Sequence, residues 1–153
     1  YAGLMITDQG PKVVEFNCRF GDPETQVVLP RLTSDLLTLC AAVAAGDLTS
    51  APTPAWTSEA TCGVVVAADG YPGAYEKGRP ITGLDTLDDD ILVFHAGTQR
   101  AADGALVTAG GRVLTVVARG ATVMAARERV YANIGRVAFA GARWRSDIGA
   151  REA

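Results

Sequence analysis

Three polar residues at alternate positions, Glu15, Asn17 and Arg19, could do chemistry together. Successive side chains of a β-strand point to opposite faces, so residues two apart share a face, with Cα atoms roughly 6.5–7 Å apart. A carboxylate and an amide oxygen at that spacing suit magnesium, which takes one or two protein oxygens and completes its shell with water and phosphate. The arginine that follows offers a planar fork for phosphate or carboxylate. The pattern predicts a strand over residues 12–20 with a metal-binding and anion-binding face.

The same alternation has a plain alternative, because an antiparallel strand with one solvated face alternates without doing any chemistry. The opposite face of the predicted strand is apolar and would pack inward; it consists of Val14, Phe16, Cys18 and Phe20. The strand pattern stops at Gly21. The next residues, Asp22, Pro23 and Glu24, predict the start of a helix with Asp22 as its N-cap, and such a start favours bound anions.

A longer stretch around these residues resembles the signature of the phosphoribosylamine-glycine ligase (glycinamide ribonucleotide synthetase) family. The stretch is Val14-Glu15-Phe16-Asn17-Cys18-Arg19-Phe20-Gly21-Asp22-Pro23-Glu24-Thr25-Gln26. Five further matches follow in the family's order: Gly70-Tyr71-Pro72-Gly73, Lys77-Gly78, Ile81-Thr82-Gly83-Leu84, Phe94-His95-Ala96-Gly97-Thr98 and Gly110-Gly111-Arg112-Val113-Leu114. A shorter Glu-x-Asn element recurs across the ATP-grasp superfamily, so the ordered later matches narrow the resemblance to this family.

The resemblance implies an ATP-dependent ligation of glycine to 5-phosphoribosylamine in de novo purine synthesis. The products would be glycinamide ribonucleotide, ADP and phosphate, formed through a glycyl phosphate intermediate. It implies Mg²⁺ or Mn²⁺ bound by Glu15 and Asn17, and Arg19 as a catalytic residue that stabilises the transferred phosphoryl group. It also implies substrate binding by Asp22 and by Arg112, whose alternative is an exposed arginine after a β-turn. The nucleotide-binding residues are not found in this sequence.

The resemblance also implies two domains, with the boundary at the turn-rich connector of residues 49–54. Residues 1–50 would be the carboxy-terminal end of an ATP-grasp domain, including its last hairpin and helix. Residues 51–153 would be the carboxy-terminal domain of the ligase. The chain is then expected to be an incomplete part of the enzyme, inactive alone, whose partner is the missing amino-terminal part.

Residue patterns predict an α+β fold in which a mainly antiparallel sheet packs with one long helix. Alternating or β-branched runs bounded by turn residues predict strands at residues 2–7, 12–20, 61–68, 91–96, 105–108 and 113–119. Helical patterns cover residues 22–46, with Ser34 or Asp35 as a start and Gly46 as the end, and residues 122–139.

Composition narrows the classes of partner. The 153 residues include 14 basic and 17 acidic side chains, for a net charge of −3, with no long run of either sign, so a nucleic-acid partner is not expected. No apolar stretch is long enough to span a bilayer and no signal-peptide pattern is present. The three cysteines, Cys18, Cys40 and Cys62, are odd in number and widely spaced, which predicts buried, reduced thiols in a cytoplasmic protein.

Other residues are interpreted as structural. His95, the single histidine, ends an apolar strand and is expected to be a hydrogen-bonded structural residue. The acidic run at residues 88–90 is interpreted as a solvated turn, and Trp56 and Trp144 as packing anchors. Exposed apolar surface is expected around residues 1–30.

Two rival functions stay open from the sequence. One is another ATP-grasp ligase of purine metabolism, which would carboxylate or formylate its substrate. The other is a non-catalytic interaction domain derived from this fold.

Overall fold

In the computed structural model, which describes residues 1–152, the chain folds into eight strands and three α-helices. The strands are β1 (Ala2–Thr7), β2 (Gly10–Phe16), β3 (Ala60–Ala68), β4 (Leu92–His95), β5 (Thr98–Arg100), β6 (Leu106–Thr108), β7 (Arg112–Gly120) and β8 (Ala142–Arg143). The helices are α1 (Thr25–Val28), α2 (Leu36–Ala45) and α3 (Val123–Ile134), with short 3-10 turns at Leu29–Arg31, Leu84–Thr86 and Ala150–Glu152. The fold is α+β, as predicted, although the short strands β5 and β8 were not predicted.

The central sheet is antiparallel with the strand order β4-β7-β3-β8. Its two long strands, β3 and β7, are rich in valine, whose branched side chain packs well on a pleated surface. They pair from Ala60 opposite Gly120 to Ala67 opposite Arg112. All residues of β7 from Val113 to Ala118 are buried. Such a continuous buried run is typical of a strand covered on both faces.

Helix α3 covers one face of the central sheet. The Thr122 hydroxyl caps the helix by accepting a hydrogen bond from the Ala125 N–H at 3.1 Å. Ala126, Val130 and Ile134 recur at helical spacing and are fully buried in the core. The helix ends at Ile134 and not at residue 139, because Gly135 follows and glycine is a poor helix former. The rest of the predicted helix is extended or turned chain.

Helix α1 packs on the opposite face of the sheet. The Thr61 hydroxyl on β3 donates a hydrogen bond to the Val27 carbonyl at 2.6 Å. A Cβ atom added to Gly63 would lie 2.6 Å from Val27 Cγ1, so β3 needs glycine there to let the helix approach. These contacts join the amino-terminal third of the chain to the central sheet.

The amino-terminal hairpin, formed by β1 and β2, is strongly exposed. Ile6 is 76% and Phe16 is 75% exposed, which confirms the expected apolar surface in residues 1–30. The predicted strand at residues 12–20 is wrong in its last four residues, because β2 ends at Phe16. The predicted burial of Cys18 and Cys40 is also wrong, since both are exposed where nothing covers them, whereas Cys62 is buried in the core.

The continuous helix predicted over residues 22–46 is wrong, because extended chain separates α1 from α2. Leu32 forms an isolated β-bridge with Trp56 at that break. The predicted ends of α2 are confirmed. The Asp35 carboxylate accepts hydrogen bonds from the Leu37 and Thr38 N–H groups, and Gly46 closes the helix in the left-handed conformation, with φ of 71°.

The acidic turn at residues 88–90 is exposed but is not merely solvated, because two of its carboxylates are paired. Asp88 lies 2.9 Å from Arg136 Nη1, and Asp90 pairs with Arg129. Asn133, fully buried on α3, accepts a hydrogen bond from the Asp88 N–H and donates one to Asp88 Oδ2. Hydrogen bonds from Asn133 and Arg136 lower the pKa of Asp88 below its ordinary value. This turn is thereby fastened to α3.

The paired Asp88 is expected to make stability depend on acid pH. A carboxylate with a lowered folded pKa stabilises the fold fully above the unfolded value of 3.8, and this stabilisation is lost as the pH falls through the folded pKa. We expect Asp88→Asn to flatten the fall in unfolding free energy between about pH 6 and about pH 2, measured by urea denaturation.

The matched control for that experiment is Asp89→Asn. Asp89 is the exposed middle residue of the run and forms no ion pair within residues 1–152. The control is expected to keep the wild-type dependence on pH. An Asp88→Asn variant with the same dependence as the wild type would show that the pairing has no energetic weight.

No helix in the described part of the chain combines the length and apolar character that crossing a bilayer requires.

Candidate functional site

The structure brings together Asp22 and Arg112, which lie 90 positions apart in the sequence. Arg112 Nη2 lies 2.9 Å from Asp22 Oδ2, and Nη1 donates a hydrogen bond to the Asp22 carbonyl at 3.1 Å. The exposed fractions of the two side chains are 40% and 46%. The two predicted substrate-binding residues therefore form one ion pair that solvent, and so a ligand, can reach.

Close backbone packing positions Arg112 at the start of β7. Gly97 and Gly110 lie so close that a Cβ atom on Gly97 would meet Gly110 Cα at 2.5 Å. A Cβ atom on Gly111 would meet the Tyr71 ring at 2.2 Å. The glycines of Gly110-Gly111-Arg112 are thus required by close approach of the backbone and of an aromatic ring, and they fix where the arginine emerges.

Asp22 does not cap a helix, which corrects that part of the sequence prediction. Residues 22–24 form a turn, α1 begins only after Glu24, and no side chain caps it. The Asp22 carboxylate therefore accepts no capping hydrogen bond from the first N–H groups of α1. Asp22 Oδ1 instead accepts a hydrogen bond from Gln26 Nε2 at 3.0 Å, while its other oxygen pairs with the arginine.

Glu15 and Asn17 lie at the end of the amino-terminal hairpin, where Glu15 is opposite Gly3 and Asn17 pairs with Tyr1. The Tyr1 hydroxyl donates a hydrogen bond to Glu15 Oε1 at 2.7 Å, and this bond raises the pKa of the Tyr1 phenol. Asn17 follows the last residue of β2, but its N–H still donates to the Tyr1 carbonyl at 2.8 Å. The hairpin ladder thus holds Asn17 in strand-like pairing. Tyr1 is a neighbour of the predicted metal ligands that sequence reasoning missed, although antiparallel pairing of the two strands could have indicated it.

The chemistry of Glu15 and Asn17 fits a hard cation. Asn17 Nδ2 is buried and has no hydrogen-bond partner among the described residues. The Asn17 carboxamide is therefore available to bind a ligand. Rotation of the carboxamide presents its oxygen in place of the nitrogen. Residues 1–152 hold no group of three or more histidine, cysteine, aspartate or glutamate side chains suited to a metal. Two oxygen donors nevertheless suffice for magnesium, which keeps most of its water and phosphate ligands.

Arg19 lies on the chain just beyond the end of β2. Its side chain is exposed, and Nη1 donates a hydrogen bond to the carbonyl of the adjacent Phe20 at 2.9 Å. Within residues 1–152, its side chain forms no hydrogen bond or ion pair with the other four predicted residues. Most of the guanidinium donors therefore face solvent.

A cavity of about 540 Å³ lies beside the Asp22–Arg112 pair. Its lining comprises Pro23, Gly63, Val64, Val65, Ala67, Tyr71, Arg112, Arg143, Trp144, Arg145 and Ile148. Sequence reasoning missed this group, although the alternation Arg143-Trp144-Arg145 of charge and aromatic ring is a signal that could have indicated it. Trp144, interpreted from the sequence as a packing anchor, is 39% exposed and forms part of the cavity wall, and Trp56 is 49% exposed elsewhere.

His95 has the hydrogen bond that was expected of a structural histidine. Its Nδ1 atom lies 3.2 Å from the Thr98 hydroxyl across the turn that joins β4 to β5.

Comparison with known proteins identifies the family. A family model described as "Phosphoribosylglycinamide synthetase, C domain" matches residues 61–151, and one described as "Phosphoribosylglycinamide synthetase, ATP-grasp (A) domain" matches residues 1–25. The phosphoribosylamine--glycine ligase of Phenylobacterium zucineum is 56% identical over 152 residues, and that of Halalkalibacterium halodurans is 52% identical over 151. Each alignment covers 99% of this chain but only 36% and 34% of the relative, so the chain spans about a third of their length.

A solved structure agrees with the sequence comparisons. The crystal structure of phosphoribosylamine--glycine ligase from Thermotoga maritima superposes with a TM-score of 0.79 at 37% identity, covering 96% of this chain and 36% of that one. The C-domain match alone covers more than half of the sequence. The chain belongs to the phosphoribosylglycinamide synthetase family.

Proposed function

We propose that this chain forms part of an ATP-dependent ligase that joins glycine to 5-phosphoribosylamine. The products are glycinamide ribonucleotide, ADP and phosphate, in de novo purine synthesis. The observation that carries the proposal is the Asp22–Arg112 ion pair, because it joins the segment matched by the ATP-grasp domain to the segment matched by the C domain. The relatives named for this reaction match across both segments.

The proposed reaction runs through glycyl phosphate, formed when the glycine carboxylate attacks the γ-phosphate of ATP. The barrier to such a transfer lies largely in holding like charges together. Glu15 and Asn17 are proposed to hold Mg²⁺ or Mn²⁺, which supplies neutralising charge next to the nucleotide phosphates when bound. Arg19, whose guanidinium is exposed, is proposed to stabilise the transferred phosphoryl group.

Arg112 is proposed to bind the phosphate of 5-phosphoribosylamine. A guanidinium carries five N–H donors, and the two contacts to Asp22 leave others for a phosphate. Asp22 holds the guanidinium in place and offers a carboxylate to the substrate amine.

The proposed division of the chain follows the two family segments. Residues 1–50 form the end of the ATP-grasp domain and residues 51–153 form the carboxy-terminal domain. The rest of the ligase, including its nucleotide-binding residues, is the proposed partner of this chain. A cytoplasmic location and the absence of nucleic-acid and membrane partners stay predictions from the sequence.

The test of the function uses the complete protein that contains this chain. We expect ADP release from ATP to require both glycine and 5-phosphoribosylamine. Release that depends instead on formate or bicarbonate would assign the protein to another ATP-grasp ligase. No release with any of these substrates would favour a non-catalytic domain.

Replacing Arg112 with alanine is expected to weaken binding of 5-phosphoribosylamine. A hydrogen bond to a charged group contributes about 1.5–3 kcal/mol, so KM for this substrate should rise by roughly ten- to a hundredfold, while KM for glycine changes little. Steady-state kinetics with each substrate varied in turn measures both constants.

The matched control is Arg119→Ala. Arg119 lies on the same strand, is 42% exposed and pairs with Glu59 at 3.7 Å, so it resembles Arg112 in all but position. The control is expected to keep the wild-type constants. If Arg112→Ala leaves KM for 5-phosphoribosylamine unchanged, Arg112 is not a phosphate ligand.

A further inference from the structure

The cavity beside Arg112 extends away from the Asp22 ion pair along the sheet. Its floor includes Gly63, Val65 and Ala67, which are partly exposed residues of β3 with small or short side chains. Trp144 forms part of its wall. At about 540 Å³ the cavity is within the range of roughly 300–1,000 Å³ in which proteins enclose whole small-molecule ligands. A pentose phosphate bound at Arg112 would fill only part of it.

The charges around the cavity are arranged in balanced pairs. Arg143 Nε lies 3.1 Å from Asp69, and Arg145 forms two hydrogen bonds with the Asp147 carboxylate at 2.8 and 2.6 Å. Arg112 pairs with Asp22 in the same way. Each of the three guanidinium groups is therefore paired with a carboxylate. The rim carries no unpaired positive charge from these arginines that would bind a small anion by charge alone. A ligand that prefers this cavity needs apolar or aromatic surface in addition to an anionic group.

Trp144 and the arginines supply that second kind of contact. A partly exposed indole is a stacking surface for a nucleobase, and arginine guanidinium planes stack on aromatic rings as well. Gly63 lies against Val27 of α1. At the other end of the floor, however, the short side chain of Ala67, the strand partner of Arg112, lets a flat ring approach the sheet. The apolar floor and the aromatic wall suit the base of a nucleotide, and the arginine at one end suits its phosphate.

We propose that this cavity binds the base of a nucleoside 5′-monophosphate whose phosphate is held by Arg112. Base-bearing nucleotides would then compete with 5-phosphoribosylamine, which shares their ribosyl phosphate but has no base. The role given to Arg112 rests on the proposed function. The stacking role of Trp144 rests on the cavity alone.

The test compares two probes on the complete protein, adenosine monophosphate and ribose 5-phosphate. Saturating magnesium-ADP is present throughout, so that the ATP site does not bind the monophosphate. Isothermal titration is expected to show that adenosine monophosphate binds at least about tenfold more tightly, because base stacking adds to the phosphate contact. Trp144→Ala should remove this preference and leave the affinity for ribose 5-phosphate within about twofold.

Two further variants keep the test decisive. Ala67→Leu fills the cavity floor without removing a wall and should also remove the preference. Trp56→Ala makes the same substitution at the other tryptophan of the chain, which lies in a separate groove, and should keep the preference.

Two outcomes would overturn the proposal. One is that adenosine monophosphate binds no more tightly than ribose 5-phosphate. The other is that Trp144→Ala and Ala67→Leu weaken both probes equally. Failure of the ligase function would be visible separately as absent glycine-dependent ADP release, which this binding measurement does not use.

Discussion

If the complete protein has the ligase activity proposed above, replacing Glu15 with glutamine is expected to lower its turnover at least about a hundredfold. Glutamine keeps the shape of the side chain but removes its negative charge, which a divalent cation bound to ATP requires for tight coordination. Loss of one group that stabilises a transferring phosphoryl group typically costs two to three orders of magnitude in rate, on the order of 10²–10³. The measurement is glycine-dependent ADP release over a range of magnesium concentrations, and the concentration giving half-maximal rate should also rise.

Glu128→Gln is the matched control for that experiment. Glu128 is an exposed glutamate on α3, away from the hairpin that carries Glu15, and its substitution makes the same change of charge. It is expected to keep the wild-type turnover and metal dependence. Wild-type kinetics for the Glu15 variant would remove this carboxylate from the metal site, while leaving open the role of Arg112 in substrate binding.

Replacing Leu114 with alanine is expected to produce the largest loss of stability. Leu114 is fully buried on β7, the strand that pairs with both β3 and β4 at the centre of the sheet. Truncating a buried leucine removes apolar burial and leaves a cavity, at a cost of about 2–5 kcal/mol. Urea denaturation of the chain should show a correspondingly lower midpoint with an unchanged slope.

The matched control is Leu37→Ala, which makes the same truncation at an exposed leucine. Leu37 is 75% exposed on α2, so its loss should change the unfolding free energy of this chain by no more than about 0.5 kcal/mol. Equal effects of the two substitutions would show that β7 is not the centre of the core.

The features that sequence reasoning predicted best are those specified by neighbouring residues. Asp35 and Gly46 limit α2 because an aspartate accepts from N–H groups two and three residues ahead and a glycine adopts positive φ without strain. Thr122 begins α3 for the same local reason. The valine-rich run of residues 113–119 predicted the strand β7, and the structure places that strand in the interior of the sheet.

The features that sequence reasoning missed depend on distant contacts. β2 ends at Phe16, where Ala2 is its last ladder partner, although the alternation of the sequence continues to Phe20. The burial of Cys18 failed for a related reason: an apolar face does not imply that anything in the chain covers it. The sequence around Asn133 did not indicate a role for this residue, because its hydrogen-bond partner, Asp88, is distant in the sequence.

The candidate site also contains residues that the sequence indicated and residues that only the folded structure brings together. Alternate spacing singled out Glu15, Asn17 and Arg19, and the resemblance to a known family added roles for Asp22 and Arg112. Nothing in the sequence indicated that Asp22 and Arg112 would form an ion pair. Trp144 and its flanking arginines were not proposed for binding, because their shared cavity exists only after β3 and the carboxy-terminal segment pack together.

If Arg112 binds a phosphate as proposed, the Asp22–Arg112 pair also affects which anions it can bind. Because the arginine already has a carboxylate partner, a ligand that reaches it exchanges with or joins an existing ion pair. A singly charged carboxylate ligand gains little from that exchange, whereas a phosphate monoester carries a charge of about −1.5 to −2 at neutral pH and offers more acceptor oxygens. At the proposed substrate site, the resident aspartate would then favour phosphorylated sugars over simple carboxylic acids.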